Sequence, residues 1–160
     1  MENRVNTENK SFRSEQSSAG QRASRTAQTV LRVLLGVFLV FTGTTHLTTA
    51  RAEFLAQVPT WLPVNGELVV LLSGIAEIAL GLALIFLFKQ RVLVGLAVAA
   101  FFVLIFPGNI SQYVNRIDAF GMNTDQARFN RLFFQPVLIA WALWATGAWR
   151  ALFTRKVESS

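Results

Sequence analysis

A single carboxylate interrupts one of the most apolar stretches of this chain. Residues 68–88 contain one ionisable side chain, Glu77. A charged carboxylate is costly in hydrocarbon, so Glu77 needs a partner or a bound proton and is a functional hypothesis by default. Such a group can accept a hydrogen bond from a ligand or take up its proton. Glu77 is therefore a candidate catalytic residue.

Polar side chains also occur near one end of each of the other three apolar segments. A histidine lies near the end of the first segment. Two amides one helical turn apart follow a proline in the third, and a cation and an amide one turn apart precede a proline in the fourth. If the segments alternate in direction, all of these residues reach the same leaflet as Glu77. We predict a ligand-binding cluster of Glu77 with His46, Asn109, Gln112, Arg131 and Gln135, in which His46 is the second catalytic candidate.

Each of these residues also has a structural interpretation. His46 could form an interfacial hydrogen bond, and Arg131 could flank a membrane helix. Asn109 and Gln112 could satisfy carbonyl groups that Pro107 leaves free. One histidine and one carboxylate are too few ligands for the usual metal site, so no metal is predicted. The chain has no cysteine, which excludes disulfides and thiolate chemistry within it.

The elements that carry these residues have the length and composition of membrane-spanning helices. About 20 apolar residues cross a bilayer, and residues 92–115 contain no Asp, Glu, Lys, Arg or His. We predict an all-α, integral membrane domain over residues 28–150, with the lipid bilayer as its surroundings. The three-residue connection 89–91 favours an antiparallel pair. The predicted fold is a four-helix up-down bundle with helices at about 29–48, 67–88, 92–113 and 131–149.

Small residues on the second predicted helix indicate close contact with another helix. Ser73, Glu77 and Gly81 recur at helical spacing, with Gly74 alongside. Stripes of this kind allow two helix backbones to approach each other in a membrane. The side chain of Glu77 should therefore face protein rather than lipid.

The segments outside the helices differ in composition. Residues 1–27 are polar, with few large apolar side chains, and are predicted to form a disordered cytoplasmic tail. Residues 151–160 form a basic C-terminal tail. The loop 49–66 contains Phe54 and Trp61 among prolines, which suits either an interfacial anchor or a lid over the polar cluster.

The distribution of lysine and arginine predicts the orientation. Both tails and the connection 89–91 are rich in these cations, whereas the opposite side carries four arginines. By the positive-inside rule, a multi-pass protein of the plasma membrane with both termini in the cytoplasm is expected. The net charge of +6 then reflects this rule and not a nucleic-acid partner. A signal peptide ending at Ala50-Arg51-Ala52 is the rival interpretation.

Five short motifs resemble those of the DoxX family of four-helix membrane proteins. They are TGTTHL around His46, WLP in the first loop, SGIAEI around Glu77, FPGNI at 106–110 and RLFFQP at 131–136. The resemblance covers roughly residues 29–149 and rests on the order and spacing of the motifs. It implies membrane redox chemistry, since relatives include a small subunit of a thiosulfate:quinone oxidoreductase. Another relative assembles with superoxide dismutase and a sulfurtransferase.

Because the chain has no cysteine, it cannot carry out a thiol-based form of that chemistry by itself. The resemblance then implies a quinone, or another hydrophobic ligand, bound against His46, Glu77 and Arg131. The first hypothesis is a small membrane subunit of a quinone-linked redox complex with soluble redox-protein partners. The alternative is a non-catalytic anchor or scaffold for soluble proteins. A small transporter ranks third, and a homo-oligomer would make it more plausible.

Overall fold

Helices make up all the regular secondary structure of the described part of the chain. The computed structural model describes the backbone of residues 2–154 and the side chains of residue 13 and residues 16–153. Within this part there is also an isolated β-bridge between Ala119 and Met122. The helices are α1 (Glu2–Leu47), α2 (Arg51–Gln57), α3 (Gly66–Phe86), α4 (Arg91–Val114), α5 (Asp125–Thr146) and α6 (Ala148–Thr154), with a 3-10 turn at Phe88–Gln90.

Three helical segments are long and apolar enough to cross a membrane. They are Gln16–Leu47, Gly66–Phe86 and Phe88–Val114. The fourth predicted span is also helical, but α5 begins at Asp125 instead of about residue 131. Its first two turns are polar, and this lowers its mean hydropathy. The predicted all-α class is thus confirmed, and three of the predicted spans have the length and composition to cross a membrane.

The structure differs from the predicted disordered tail at residues 1–27. Helix α1 begins at Glu2 and continues without interruption into the apolar segment. The costly step in helix formation is nucleation, and the apolar segment supplies a helix to which the polar residues can add. Residues 2–27 contain no proline to stop this growth. Most of the C-terminal tail predicted over 151–160 lies outside the described residues.

Helices α1 and α3 make the closest contact through glycines on both sides. A Cβ atom on Gly81 would lie 2.6 Å from the carbonyl oxygen of Gly36, and one on Gly43 would lie 2.7 Å from that of Gly74. At such distances there is room between the two helix backbones only for the hydrogen atoms of glycine. The small-residue stripe predicted on α3 therefore does contact another helix, and that helix is α1.

A second pair is formed by α4 and α5, where Gly95 packs directly against Thr146. The two pairs meet in one cluster of buried side chains near the Phe88–Gln90 turn. We call this side of the molecule the turn end, and the side that holds residues 48–65 and 115–124 the loop end. The buried cluster consists of Leu35, Leu39, Leu84, Val94, Val98, Phe102 and Ala142.

The glycine contact predicts a specific loss of stability. In Gly81→Ala the new methyl group meets the Gly36 backbone, so the unfolding midpoint in detergent should fall, with a cost of about 1–3 kcal/mol for overpacking. Gly20→Ala is the matched control, because Gly20 is also helical and has no atom within 4 Å of its would-be Cβ. It should leave the midpoint unchanged or raise it, since alanine favours helix. Equal midpoints for the two variants would contradict the close contact.

Candidate functional site

A cavity of about 1040 Å³ lies between the helices at the loop end. Helices α1, α3, α4 and α5 all contribute to its wall, and α2 with the following loop contributes residues such as Phe54 and Val58. Most of the lining is apolar. The buried cluster of the turn end, including Leu39 and Phe102, forms its floor. A space of this size and character suits an elongated hydrophobic ligand.

His46 of α1 and Glu77 of α3 lie next to each other in the wall of this cavity. Nε2 of His46 lies 3.6 Å from Oε2 of Glu77, and both side chains are buried. That distance is too long for a hydrogen bond. Oε2 of Glu77 is buried and has no hydrogen-bond partner. The pair therefore has an unused acceptor, and both of its residues line the cavity.

The neighbouring serine determines which ring nitrogen of His46 carries the proton. The hydroxyl of Ser73 donates to the Val70 carbonyl at 2.9 Å, so its oxygen accepts from Nδ1 of His46 at 3.1 Å. In the neutral ring Nε2 is then an acceptor. Two acceptors, Nε2 and Oε2, consequently face each other. One added proton, or a ligand that donates a hydrogen bond, satisfies them.

The opposite wall holds a chain of amides that joins α4 to α5. Nδ2 of Asn109 donates to Oε1 of Gln135 at 2.8 Å, and Nε2 of Gln135 donates to the Phe102 carbonyl at 2.6 Å. Asn109 therefore does not serve the carbonyl groups near Pro107 but pairs with the neighbouring helix. Each amide group has two N–H bonds, so Asn109 keeps one for a ligand.

A residue that the sequence analysis missed connects two of the predicted ones. Gln57, at the end of α2, donates to Oε1 of Gln112 at 3.0 Å and accepts from Nη2 of Arg131 at 3.1 Å. Gln112 also donates to the carbonyl oxygens of Ile117 and Ala119. Gln112 thus lies behind the wall of the cavity and fixes the loop that contains Ile117 and Ala119. The other five predicted residues line the cavity.

Aromatic rings cover the cavity at the loop end. Phe54 of α2 stacks on the ring of His46 and makes an edge contact with Phe120, whose centroid is 4.6 Å away. The guanidinium of Arg131 lies over the Phe120 ring at 4.7 Å. Phe120 has a φ of 57°, which is unfavourable for a bulky residue. Its backbone N–H donates to Glu53 of α2, and this bond helps to hold the conformation. The loop 49–66 therefore contributes a cover to the cavity.

The cavity also reaches the sides of the helices. Phe41, Leu72, Leu104 and Phe134 line it and are at the same time among the exposed apolar residues. A hydrophobic molecule dissolved in a bilayer would meet these residues first. In the part of the chain that the structure describes, no group of three His, Asp or Glu residues could hold a metal ion.

Comparison with known proteins gives one match. A protein-family model described as a domain of unknown function (DUF8561) matches residues 35–146, a range that includes every site residue named above. No curated protein and no solved structure matches the chain.

The amide chain predicts a measurable coupling between α4 and α5. Gln135→Leu removes both hydrogen bonds of the amide and leaves the Phe102 carbonyl and the Asn109 amide unpaired. The free energy of unfolding should fall by about 1–2 kcal/mol, given the modest worth of such bonds between membrane helices. Gln126→Leu is the control, because Gln126 bonds only to Asn130 on the exposed surface of α5. Thermal unfolding in detergent measures the stability of both variants. An equal loss of stability in the two would contradict the role of Gln135 as a bridge between α4 and α5.

Proposed function

The chain belongs to the DUF8561 family, and because that family has no assigned function we propose one from the cavity. The protein binds a quinone between its helices and serves as a small membrane subunit of a redox complex. The observation that carries the proposal is the unpartnered Oε2 of Glu77 beside Nε2 of His46. The soluble redox partner would be a separate protein.

The proposed setting is a four-helix up-down bundle in the plasma membrane. The three apolar segments supply three spans, and α5 is the fourth. More of the described lysines and arginines lie on the side of the turn end than at the loop end, and this excess supports a cytoplasmic turn end. Both termini would then be cytoplasmic, and the cavity would lie in the outer half.

The two acceptors suit the two states of a quinone. A hydroquinone hydroxyl can donate to Oε2 of Glu77, and transfer of its proton converts the carboxylate to a carboxylic acid. The acid can in turn donate to a quinone carbonyl oxygen. Arg131 and the second N–H of Asn109 are additional donors for a carbonyl oxygen. In its neutral form His46 acts as a hydrogen-bond acceptor at Nε2.

The apolar lining suits the tail of such a ligand. Leu72, Leu104 and Phe134 mark routes through which an isoprenoid chain could extend into the bilayer. The resemblance to the DoxX family supports the same setting, because its relatives include a quinone-linked enzyme. The closed floor at Leu39 and Phe102 argues against a transport route through one protomer.

A short-chain quinone should stabilise the purified full-length protein. At a concentration of 100 times Kd, binding to the folded state adds about 2.7 kcal/mol, which raises the unfolding midpoint. Glu77→Gln and His46→Ala should remove this ligand-induced shift. It is the shift, not the starting midpoint, that is compared, because either variant can change the stability of the free protein.

Two controls make this experiment specific. Glu67→Gln removes a carboxylate at the loop end that is half exposed and bound to Arg51, and it should keep the full shift. An alkylbenzene of the same chain length, which lacks carbonyl oxygens, should give a smaller shift that does not depend on Glu77. No shift with quinone, or the same shift in Glu77→Gln, would refute quinone binding at this site.

The long start of α1 supports the second candidate function, a scaffold for soluble proteins. Residues 2–27 are helical and would extend about 40 Å at 1.5 Å per residue. Nearly all described side chains between residues 16 and 27 are exposed. A polar helix that leaves the membrane in this way offers a surface to a soluble partner.

The scaffold role makes a different prediction from quinone binding. Deletion of residues 2–27 should abolish recovery of a stoichiometric soluble partner in a mild-detergent pull-down, because the exposed helix is lost. Glu77→Gln should leave this recovery unchanged, since Glu77 is buried in the bundle. Equal recovery with the deleted and the full-length chain would contradict a scaffold role for α1.

A further inference from the structure

A buried arginine at the turn end has a side-chain nitrogen without a partner among the described residues. Arg32 of α1 is 6% exposed, and its Nε is buried with no hydrogen-bond partner. A buried polar atom without a hydrogen-bond partner carries a desolvation penalty. Something outside the chain that accepts hydrogen bonds and carries negative charge would remove this penalty.

Among the side chains that the structure describes, no carboxylate lies at the turn end. There is no Asp or Glu between residues 16 and 52, between 78 and 117, or between 126 and 153. The loop end is different, since Arg51 pairs with Glu67 and Arg128 pairs with both Asp118 and Asp125. Among the described residues, Arg51 and Arg128 therefore have carboxylate partners, whereas Arg32 has none.

The neighbours of Arg32 add positive potential. Arg91, the first residue of α4, lies close enough for its charge to repel that of Arg32. Lys89 precedes it in the Phe88–Gln90 turn. The N-cap of α4, Gln90, makes no side-chain bond to the first N–H groups, and the first turn contains no acid. The N-terminus of a long helix carries a partial positive charge that attracts anions.

Apolar surface surrounds this cationic group. Phe86, Phe88 and Leu93 are exposed next to the turn, and Val30 and Leu34 are exposed on α1 beside Arg32. Arg32 also lies where the polar part of α1 gives way to its apolar part. In a bilayer this is the level of the lipid headgroups, and the exposed apolar residues lie at the level of the acyl chains.

We propose that Arg32, together with Arg91 and the start of α4, binds the phosphate group of an anionic membrane lipid. The guanidinium donates to the phosphate oxygens, and the exposed apolar residues contact the acyl chains. This site is separate from the cavity at the loop end and does not depend on quinone binding.

Native mass spectrometry of the full chain in detergent, titrated with phosphatidylglycerol or phosphatidylcholine, tests the proposal. The wild type should bind phosphatidylglycerol at least about fivefold more tightly, since one basic residue near a membrane surface is worth about 1 kcal/mol. Arg32→Gln should bring the two affinities to within twofold. Arg91→Gln changes an exposed residue that does not affect packing, and it should also reduce the preference.

The control is Arg116→Gln, which removes the same charge from an exposed position at the loop end and should keep the preference. Inorganic phosphate is titrated in parallel to separate a lipid from a free anion. Binding of inorganic phosphate that depends on Arg32, without any preference for phosphatidylglycerol, would overturn the lipid assignment. An unchanged preference in both Arg32→Gln and Arg91→Gln would overturn the site itself.

Discussion

The backbone contact between α1 and α3 determines where the polar groups of the cavity lie. A Cβ on Gly43 would be 3.0 Å from Cβ of Glu77, and a Cβ on Gly74 would be 2.8 Å from Cβ of His46. The two glycines thus sit directly beside the two members of the pair. If the helices were separated by ordinary side chains, His46 and Glu77 could not approach to 3.6 Å. Small residues are the usual means of such contact in membranes, where burial of apolar surface does not draw helices together.

The two helix pairs divide the polar groups of the site between them. The pair α1 and α3 holds two hydrogen-bond acceptors, whereas α4 and α5 hold amide and guanidinium donors in Asn109 and Arg131. The pairs are packed against each other by the buried cluster at the turn end and separate towards the loop end. A ligand in the cavity therefore touches both pairs. A molecule with both donor and acceptor character, such as a quinone and its reduced form, matches this division.

Much of this arrangement was predictable from patterns that are local in sequence. Long apolar runs predict the membrane helices, and the spacing of Ser73, Glu77 and Gly81 predicts the close contact. The parts that could not be predicted depend on tertiary structure. Gln57 lies at the end of the short helix α2 and Phe120 in a loop, where no periodic pattern marks them, and only the folded chain brings them to Arg131. The helical start of α1 was not predicted because composition describes residues 2–27 in isolation. It does not show that these residues extend a helix that is already nucleated in the adjoining apolar segment.

The two proposed ligand sites follow from one physical rule applied at opposite ends of the molecule. Buried polar atoms in proteins are nearly always paired. Among the described residues, the buried side-chain atoms without a hydrogen-bond partner are Oε2 of Glu77 and Nε of Arg32. One is an acceptor beside an apolar cavity, and the other is a donor at the level of the lipid headgroups. The described residues supply no partner for either atom, and the opposite chemistry of the two atoms implies that the two missing partners are different. The first calls for a ligand that can donate a hydrogen bond, and the second for an anion at the membrane surface.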